Sequence, residues 1–432
     1  MTSELLRIPP GPAEKYNTSQ DLFSWLNDQF KLFGSVYKAS VHGTNVYVVS
    51  DPQLADHVLR KNWQNYKKGQ AIKRVGLLLG NGLMVSEGEF WKSQRRMIQP
   101  AFHDKAIGAL INVITTANIA LLEKWTRAAQ EKESVNITSD ISHMALNVML
   151  ISIFGDEYEQ VAPHFNILSD ESARNLQFAQ AFRPLGKMVL QVAAQRRKLN
   201  VKATDMLGML MEARDQRSGK AMPDSQIVSE IMTLIVAGHE TTASTLNWTW
   251  YLLSKNSDIE EKLSSELNTM SGNEFPKLSE LSRFTFTRQV IEETLRLYPA
   301  GWLMTRKALR DDQLGDYFVP AGTEIYISPY LIQRHPAFWE DPDRFNPDRF
   351  EPGNGHDPRA LTMLPFSAGP RKCIGELMAR LEMQIHLMTI SRHLRLRCVS
   401  ESPVELDAGV NLRSKCDFIM NPEIKTLAAL DN

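Results

Sequence analysis

The chain has 432 residues, 43% hydrophobic and 23% charged, with a formal net charge of −1. These are ordinary globular values: there is enough apolar mass to enclose a large cofactor, and nothing electrostatic that calls for a nucleic-acid partner. Three cysteines, Cys373, Cys398 and Cys416, are too few and of the wrong parity for a disulfide framework, and fit a reducing, cytoplasmic compartment.

Residues 1–16 hold no long apolar stretch and open on the turn-rich run Arg7-Ile8-Pro9-Pro10-Gly11-Pro12, so neither a signal peptide nor a membrane anchor is expected there. Segments 35–39 and 45–49 cluster β-branched and aromatic residues and are predicted strands. Asp51-Pro52 then opens a helix, with Asp51 as N-cap and Pro52 in the first turn. From residue 89 to about 272 the pattern is mostly helical. The run 106–122 lacks charges, but Asn112, Thr115, Thr116 and Asn118 interrupt it, which fits a packed amphipathic helix better than a membrane span. The clearest long helix is 229–255, with Ile231, Leu234, Ile235, Gly238 and Thr242 along or beside one face. A second covers about 284–297 and ends before Pro299. Residues 305–330 return to strand-like pieces, 335–365 are rich in Pro, Asp, Asn and Gly and should be irregular, a helix follows Cys373, and the tail from 404 reads as hairpin and loop. No linker divides the chain. The expectation is one mainly α domain over 1–432 with small β-sheets, β-rich over about 1–60 and helical over about 61–432 with interspersed β pieces.

Four segments carry chemistry. Ala237-Gly238-His239-Glu240-Thr241-Thr242 lies mid-helix, where Gly and Thr cost helix stability. A Thr hydroxyl there can bond the carbonyl one turn back and open the helix locally, and Gly238 would let a ligand lie against the backbone. His239 is read as a packing or surface residue and not as a metal ligand. Glu293-Thr294-Leu295-Arg296 puts acid and base on one helical face, by itself a routine ion pair of a few tenths of a kcal/mol. Phe345-Asn346-Pro347-Asp348-Arg349-Phe350 follows. Last comes Phe366-Ser367-Ala368-Gly369-Pro370-Arg371-Lys372-Cys373-Ile374-Gly375. A lone cysteine in a turn is usually structural. Here small residues allow close backbone approach to a flat ligand, two cations precede the thiol, and a helix N-terminus follows it; all three suit a thiolate on a metal.

The last segment resembles the haem-ligand loop of the cytochrome P450 family, Phe-x-x-Gly-x-Arg-x-Cys-x-Gly, at every fixed position. The resemblance extends to the oxygen-activation segment (237–242), the Glu-x-x-Arg helix and the Pro-x-Arg-Phe segment, where Asp348 stands in place of Glu. It implies the cytochrome P450 fold, with haem b (iron protoporphyrin IX) buried between the long central helix and the cysteine loop. Cys373 would be the iron ligand. Glu240 and Thr241 would be the acid and alcohol that deliver protons to dioxygen. Trp91, Arg95, Arg306 and Arg371 would meet the haem propionates, with Phe366, Gly375 and Ala237 also against the cofactor. Glu293, Arg296 and Arg349 would form a buried structural network behind the loop. Leu78, Leu79, Ala237, Trp302, Leu303, Met304 and Val410 would line an apolar substrate pocket.

The implied activity is a soluble haem-thiolate monooxygenase that hydroxylates or epoxidises a small apolar organic substrate (terpenoid, steroid, fatty acyl or polyketide-like). Two electrons would come from an external ferredoxin or flavodoxin with its reductase. Coupling, dehydrogenation or rearrangement of a natural-product intermediate is the related alternative, and a non-catalytic haem carrier or gas sensor the alternative from another class. Lys92, Arg96 and Lys372 would form a basic patch for the donor or simply a solvated charged face. Segment 155–198, the expected distal lid, is short, which predicts an open mouth. A monomer without a membrane anchor or nucleic-acid partner is expected.

Overall fold

The computed structural model describes residues 7–169, 176–270, 278–354 and 361–425. The two early strands form a hairpin, Val36–Val41 on Thr44–Val49, with Val41 opposite Thr44. Its two-residue turn, His42-Gly43, has positive φ at both positions (48° and 75°), the backbone that matches the right-handed twist of paired strands. Thr44–Val49 then pairs in parallel with Glu324–Ile327, which pairs with Met304–Ala308, and that with Tyr66–Lys68. The early hairpin therefore shares one sheet with the strand pieces expected over 305–330. That sheet joins the N-terminus to strands beyond residue 300, because a parallel partner cannot come from an adjacent hairpin.

Asp51 caps Pro52–Asp56 by accepting from the amides of Gln53 (2.8 Å) and Leu54 (2.9 Å). The central helix spans Asp224–Lys255, 32 residues, and packs most closely along the helix Ile137–Phe154. The helix after the cysteine loop, Glu376–Ser391, is buried from Leu381 to its end, as expected of a helix apolar on most sides. A polar cross-link pins this layer: Trp250 Nε1 donates to His386 Nε2 at 2.8 Å, and His386 Nδ1 meets Asn118 Oδ1 at 2.7 Å. Burial pushes His386 down to about 3, so it stays neutral with its proton on Nδ1.

Two helical stretches, Asp104–Glu131 and Ile137–Leu168, are long and apolar enough to cross a membrane. The second is largely buried in the fold; in the first only 22% of the apolar window is buried, the rest being mostly half-covered. In the predicted lid, Tyr158–Phe165 is a short helix that contains Pro163, and Leu176–Leu199 is a long one. Part of the lid, 170–175, lies outside the described residues.

Candidate functional site

The cysteine loop is shaped by its backbone. Ser367 (φ 63°) and Gly369 (φ 71°) are both left-handed. A Cβ on Gly369 would lie 2.0 Å from the Leu59 carbonyl oxygen, so only glycine fits. One 3-10 turn, Gly369–Arg371, follows. Then the Cys373 amide donates back to the Phe366 carbonyl at 2.9 Å, and Gly375 caps the next helix. The Cys373 side chain has an exposed surface, although protein surrounds it. Burial pushes its thiol pKa up, while the Gly375 amide, Arg95 and Lys372 pull the other way. Desolvation of the anion thus outweighs the cations that the sequence puts beside the thiol, and a bound metal would favour the thiolate.

Cations converge beside this loop. Arg371 ion-pairs with Glu87, donates to the Ser86 carbonyl at 2.8 Å and lies 3.8 Å over the Trp91 ring. Arg95, one turn beyond Trp91, donates to the Lys372 carbonyl at 3.0 Å. Arg306 is buried and donates to the Thr305 carbonyl. Directly across the strand pair from it stands Lys68, which sequence reasoning missed. Burial first, and then Arg371, push Arg306 down to about 10; burial, Arg371 and Arg306 push Lys68 down to about 7. Like charges facing across a strand pair destabilise it, and Glu87 is already engaged by Arg371. The donor set therefore fits a ligand bearing two carboxylates beside a thiolate, which is what haem would present.

Behind the loop, Glu293 and Arg296 are fully buried and bidentate (2.6 and 2.8 Å). Arg349 reaches Glu293 at 3.3 Å. The rest of the Arg296 guanidinium donates to the carbonyls of Gln333 (2.8 Å), Pro342 (2.7 Å) and Arg344 (3.2 Å). Gln333, also missed, accepts from the Leu364 amide at 2.7 Å, and the Leu364 carbonyl accepts from the amide of Ser367 in the cysteine loop at 3.0 Å. A glutamine in an irregular stretch gives no sequence signal for such a link.

In the central helix Thr241 donates to the Ala237 carbonyl at 2.8 Å, but the helix runs unbroken through 237–242. A Cβ added at Gly238 would lie 2.7 Å from the Met149 sulfur, so a larger residue there needs the flexible end of that side chain to shift. His239 is buried, its ring bonded to the carbonyls of Ile235 (2.8 Å) and Leu168 (3.3 Å). Glu240 is half-buried at the edge of a small cavity.

The seven pocket candidates do not form one packed group. Trp302 packs edge-on against Phe23 (5.4 Å) in the β-lobe cluster, donates to the Gly409 carbonyl, and has Leu303 beside it. Met304 packs on a second sheet cluster, and Leu79 is in the main helical core. Leu78 is 43% exposed, and Val410, on the loop between strands Leu406–Ala408 and Leu412–Ser414, is 74% exposed. Only Ala237, half-buried, shares the central helix with Glu240 and Thr241. Lys92, Arg96 and Lys372 are ion-paired with Glu89, Asp215 and Glu376, so their face carries less free positive charge than the sequence suggests.

Known proteins resemble this chain over most of its length. The sequence model of the family described as Cytochrome P450 matches residues 11–185 and 177–416. The chain is 32% identical to cyclooctatin synthase of Streptomyces melanosporofaciens, over 82% of this chain and 81% of that protein. It is 28% identical to carotene epsilon-monooxygenase, chloroplastic, of Arabidopsis thaliana (91% and 79%) and 28% identical to pentalenene oxygenase of Streptomyces avermitilis (87% and 86%).

Proposed function

The chain belongs to the cytochrome P450 family, and from that premise we propose that it is a monooxygenase inserting one oxygen atom into a terpenoid hydrocarbon. The observation that carries the reading is the exposed Cys373 side chain set beside the cations Lys68, Arg95, Arg306 and Arg371. Terpenoid chemistry is favoured because carotene and pentalenene, named in two relatives, are both terpenoid hydrocarbons.

Haem bound here supplies dioxygen reduction and oxygen insertion, with the thiolate's electron donation favouring O–O cleavage. The protein's part is placement and proton handling. Cys373 would supply the thiolate that holds the iron. The four cations take the two haem carboxylates, Arg through planar paired donors and Lys68 as a point charge. Glu293, Arg296 and Arg349, through Gln333, hold the loop from behind. Glu240 exchanges protons, and Thr241, whose hydrogen is committed to the Ala237 carbonyl, accepts and can rotate to donate. Electrons come from an external ferredoxin or flavodoxin with its reductase.

The decisive test is the reduced, carbon-monoxide-bound absorption spectrum of the purified protein. The red-shifted band of a thiolate-ligated haem should appear in the wild type and vanish in Cys373→Ser; a band unchanged by that substitution refutes the ligand. A panel of terpenoid hydrocarbons run with labelled dioxygen should then give one labelled oxygen in the product. An unlabelled coupled or dehydrogenated product would favour the alternative chemistry.

A further inference from the structure

Next to Glu240, and further along the central helix, lies a cavity of about 20 Å³ lined by Ser244, Asn247, Trp248, Thr138, Asn411 and Arg413, with Ser414 and Phe418 closing it. A space of that size holds about one water, provided the walls offer it two or more polar partners. They do. The Asn247 side chain is 6% exposed, and its Oδ1 is buried with no hydrogen-bond partner among the described residues, an arrangement that is costly unless a water satisfies it. The Ser244 hydroxyl donates to the Leu412 carbonyl at 2.8 Å, so its oxygen is left to accept. Arg413 adds a guanidinium, which can only donate.

The burial is graded. Asn247 is enclosed, the Arg413 side chain is 24% exposed, and its partner Asp407, 2.7 Å away on the facing strand, is 36% exposed. The geometry points to a proton-feed site: a water held by Asn247 Oδ1 and Arg413 recharges Glu240 from solvent beneath the C-terminal hairpin. This rests on the reading of Glu240 as the acid for dioxygen reduction. In the transfer, one O–H bond of the water breaks as a proton passes to a Glu240 carboxylate oxygen. The water regains a proton from solvent at the Arg413–Asp407 mouth, and no electrons move. Arg413 stays protonated throughout and is a positioning residue, as is Asn247.

Two measurements decide it. A crystal structure of the wild-type holoenzyme at high resolution should show an ordered water within hydrogen-bond distance of Asn247 Oδ1; a dry cavity, or one filled by a side chain, overturns the proposal without reference to activity. The second measurement partitions reductase-driven NADH consumption between product and hydrogen peroxide, with β-ionone as the terpenoid probe, in ordinary and deuterated water. Asn247→Leu and the half-buried Arg413→Gln should each raise the peroxide share severalfold and enlarge the solvent isotope effect. Neither should add to the effect of Glu240→Gln, since they act through that carboxyl. If Glu240→Gln is itself silent, the acid assignment fails. If it uncouples while Arg413→Gln and Asn247→Leu match the wild type, the acid stands and the feed site is wrong. Should Asn247→Leu not fold, Arg413→Gln and the crystallographic water still decide.

Discussion

Two fully buried arginines anchor two regions of this molecule in different ways. Behind the cysteine loop, Arg296 meets one carboxylate, Glu293, and three backbone carbonyls between residues 333 and 344. At the root of the lid, Arg196 meets two carboxylates, Glu157 (2.9 Å) and Asp205 (2.7 Å), and one carbonyl, Phe154 (2.7 Å). The first clamp binds irregular backbone that has no ladder of its own. The second reaches about as far in sequence, 39 residues to Glu157 and 42 to Phe154, but it ties the end of Leu176–Leu199 to the end of another helix and to the Asp205 cap. A buried charge is costly unless fully paired, so each clamp makes its surroundings all-or-none. What differs is the extent: the loop clamp fixes the cofactor ligand, and the lid clamp fixes one end of one helix.

The comparison makes ordered predictions. Arg296→Ala leaves Glu293 buried without its main partner and should cost about 3–5 kcal/mol, with haem content per protein collapsing alongside the melting temperature. Arg196→Ala should cost about 3 kcal/mol by the same physics, but locally. Amide exchange should accelerate over 154–205 and stay unchanged over 361–391; loosening of both would break the distinction between the regions. Gln333→Ala removes the link from Arg296 to the loop and leaves buried groups unpaired, costing about 1–3 kcal/mol, with the absorption band of the bound haem broadened.

Acid and base should separate the regions too. Arg196 holds the Glu157 carboxyl below its usual range, so the lid clamp's contribution is present above the ordinary carboxylate pKa and lost as pH falls through the lowered folded value. Burial instead raises Glu382, on the helix after the cysteine loop, to about 8 and Glu230, in the central helix, to about 7. For these the folded state holds protons that the unfolded chain releases near pH 4.5. Their contribution is complete below that value and is lost as pH rises from there through 7 and 8, by about 1 kcal/mol per pH unit for each carboxyl. Denaturant melts across pH should show the decline between about pH 4.5 and 8 and level off above it; a flat profile through that window would mean these carboxyls are paired in solution. The smallest effect is expected for Lys262→Ala, which removes a half-exposed ion pair with Asp348 and should change stability by less than about 1 kcal/mol.

How legible these regions were in the sequence follows from their physics. Glu293 and Arg296 are three residues apart on a helix, so spacing alone places them together. Arg196 opens the run Arg196-Arg197-Lys198, which reads as a solvated helix end; nothing local shows that one of the three turns inward. The cysteine loop was readable because its glycines, cations and thiol are contiguous. Lys68 was not, because its importance comes from facing Arg306 across strands far apart in sequence. The pocket candidates lie in different packing clusters, a separation that is not legible segment by segment. Trp302 turned into the sheet lobe because the side chains of a strand entry alternate faces, and the wider register that decides which face it takes was beyond a local reading. The long helices came through, the central one beginning five residues earlier than expected and the second, Thr285–Leu297, one later, since their apolar periodicity is a local property.

The touch between Gly238 and Met149 has a consequence for anyone reshaping this enzyme. A library that varies the central helix alone would leave the end of the Met149 side chain to make room at position 238. Varied together with position 149, so that one side shrinks as the other grows, the same site should accept alanine and larger residues more readily, and reshaping the central helix would then run through its packing partner, Ile137–Phe154.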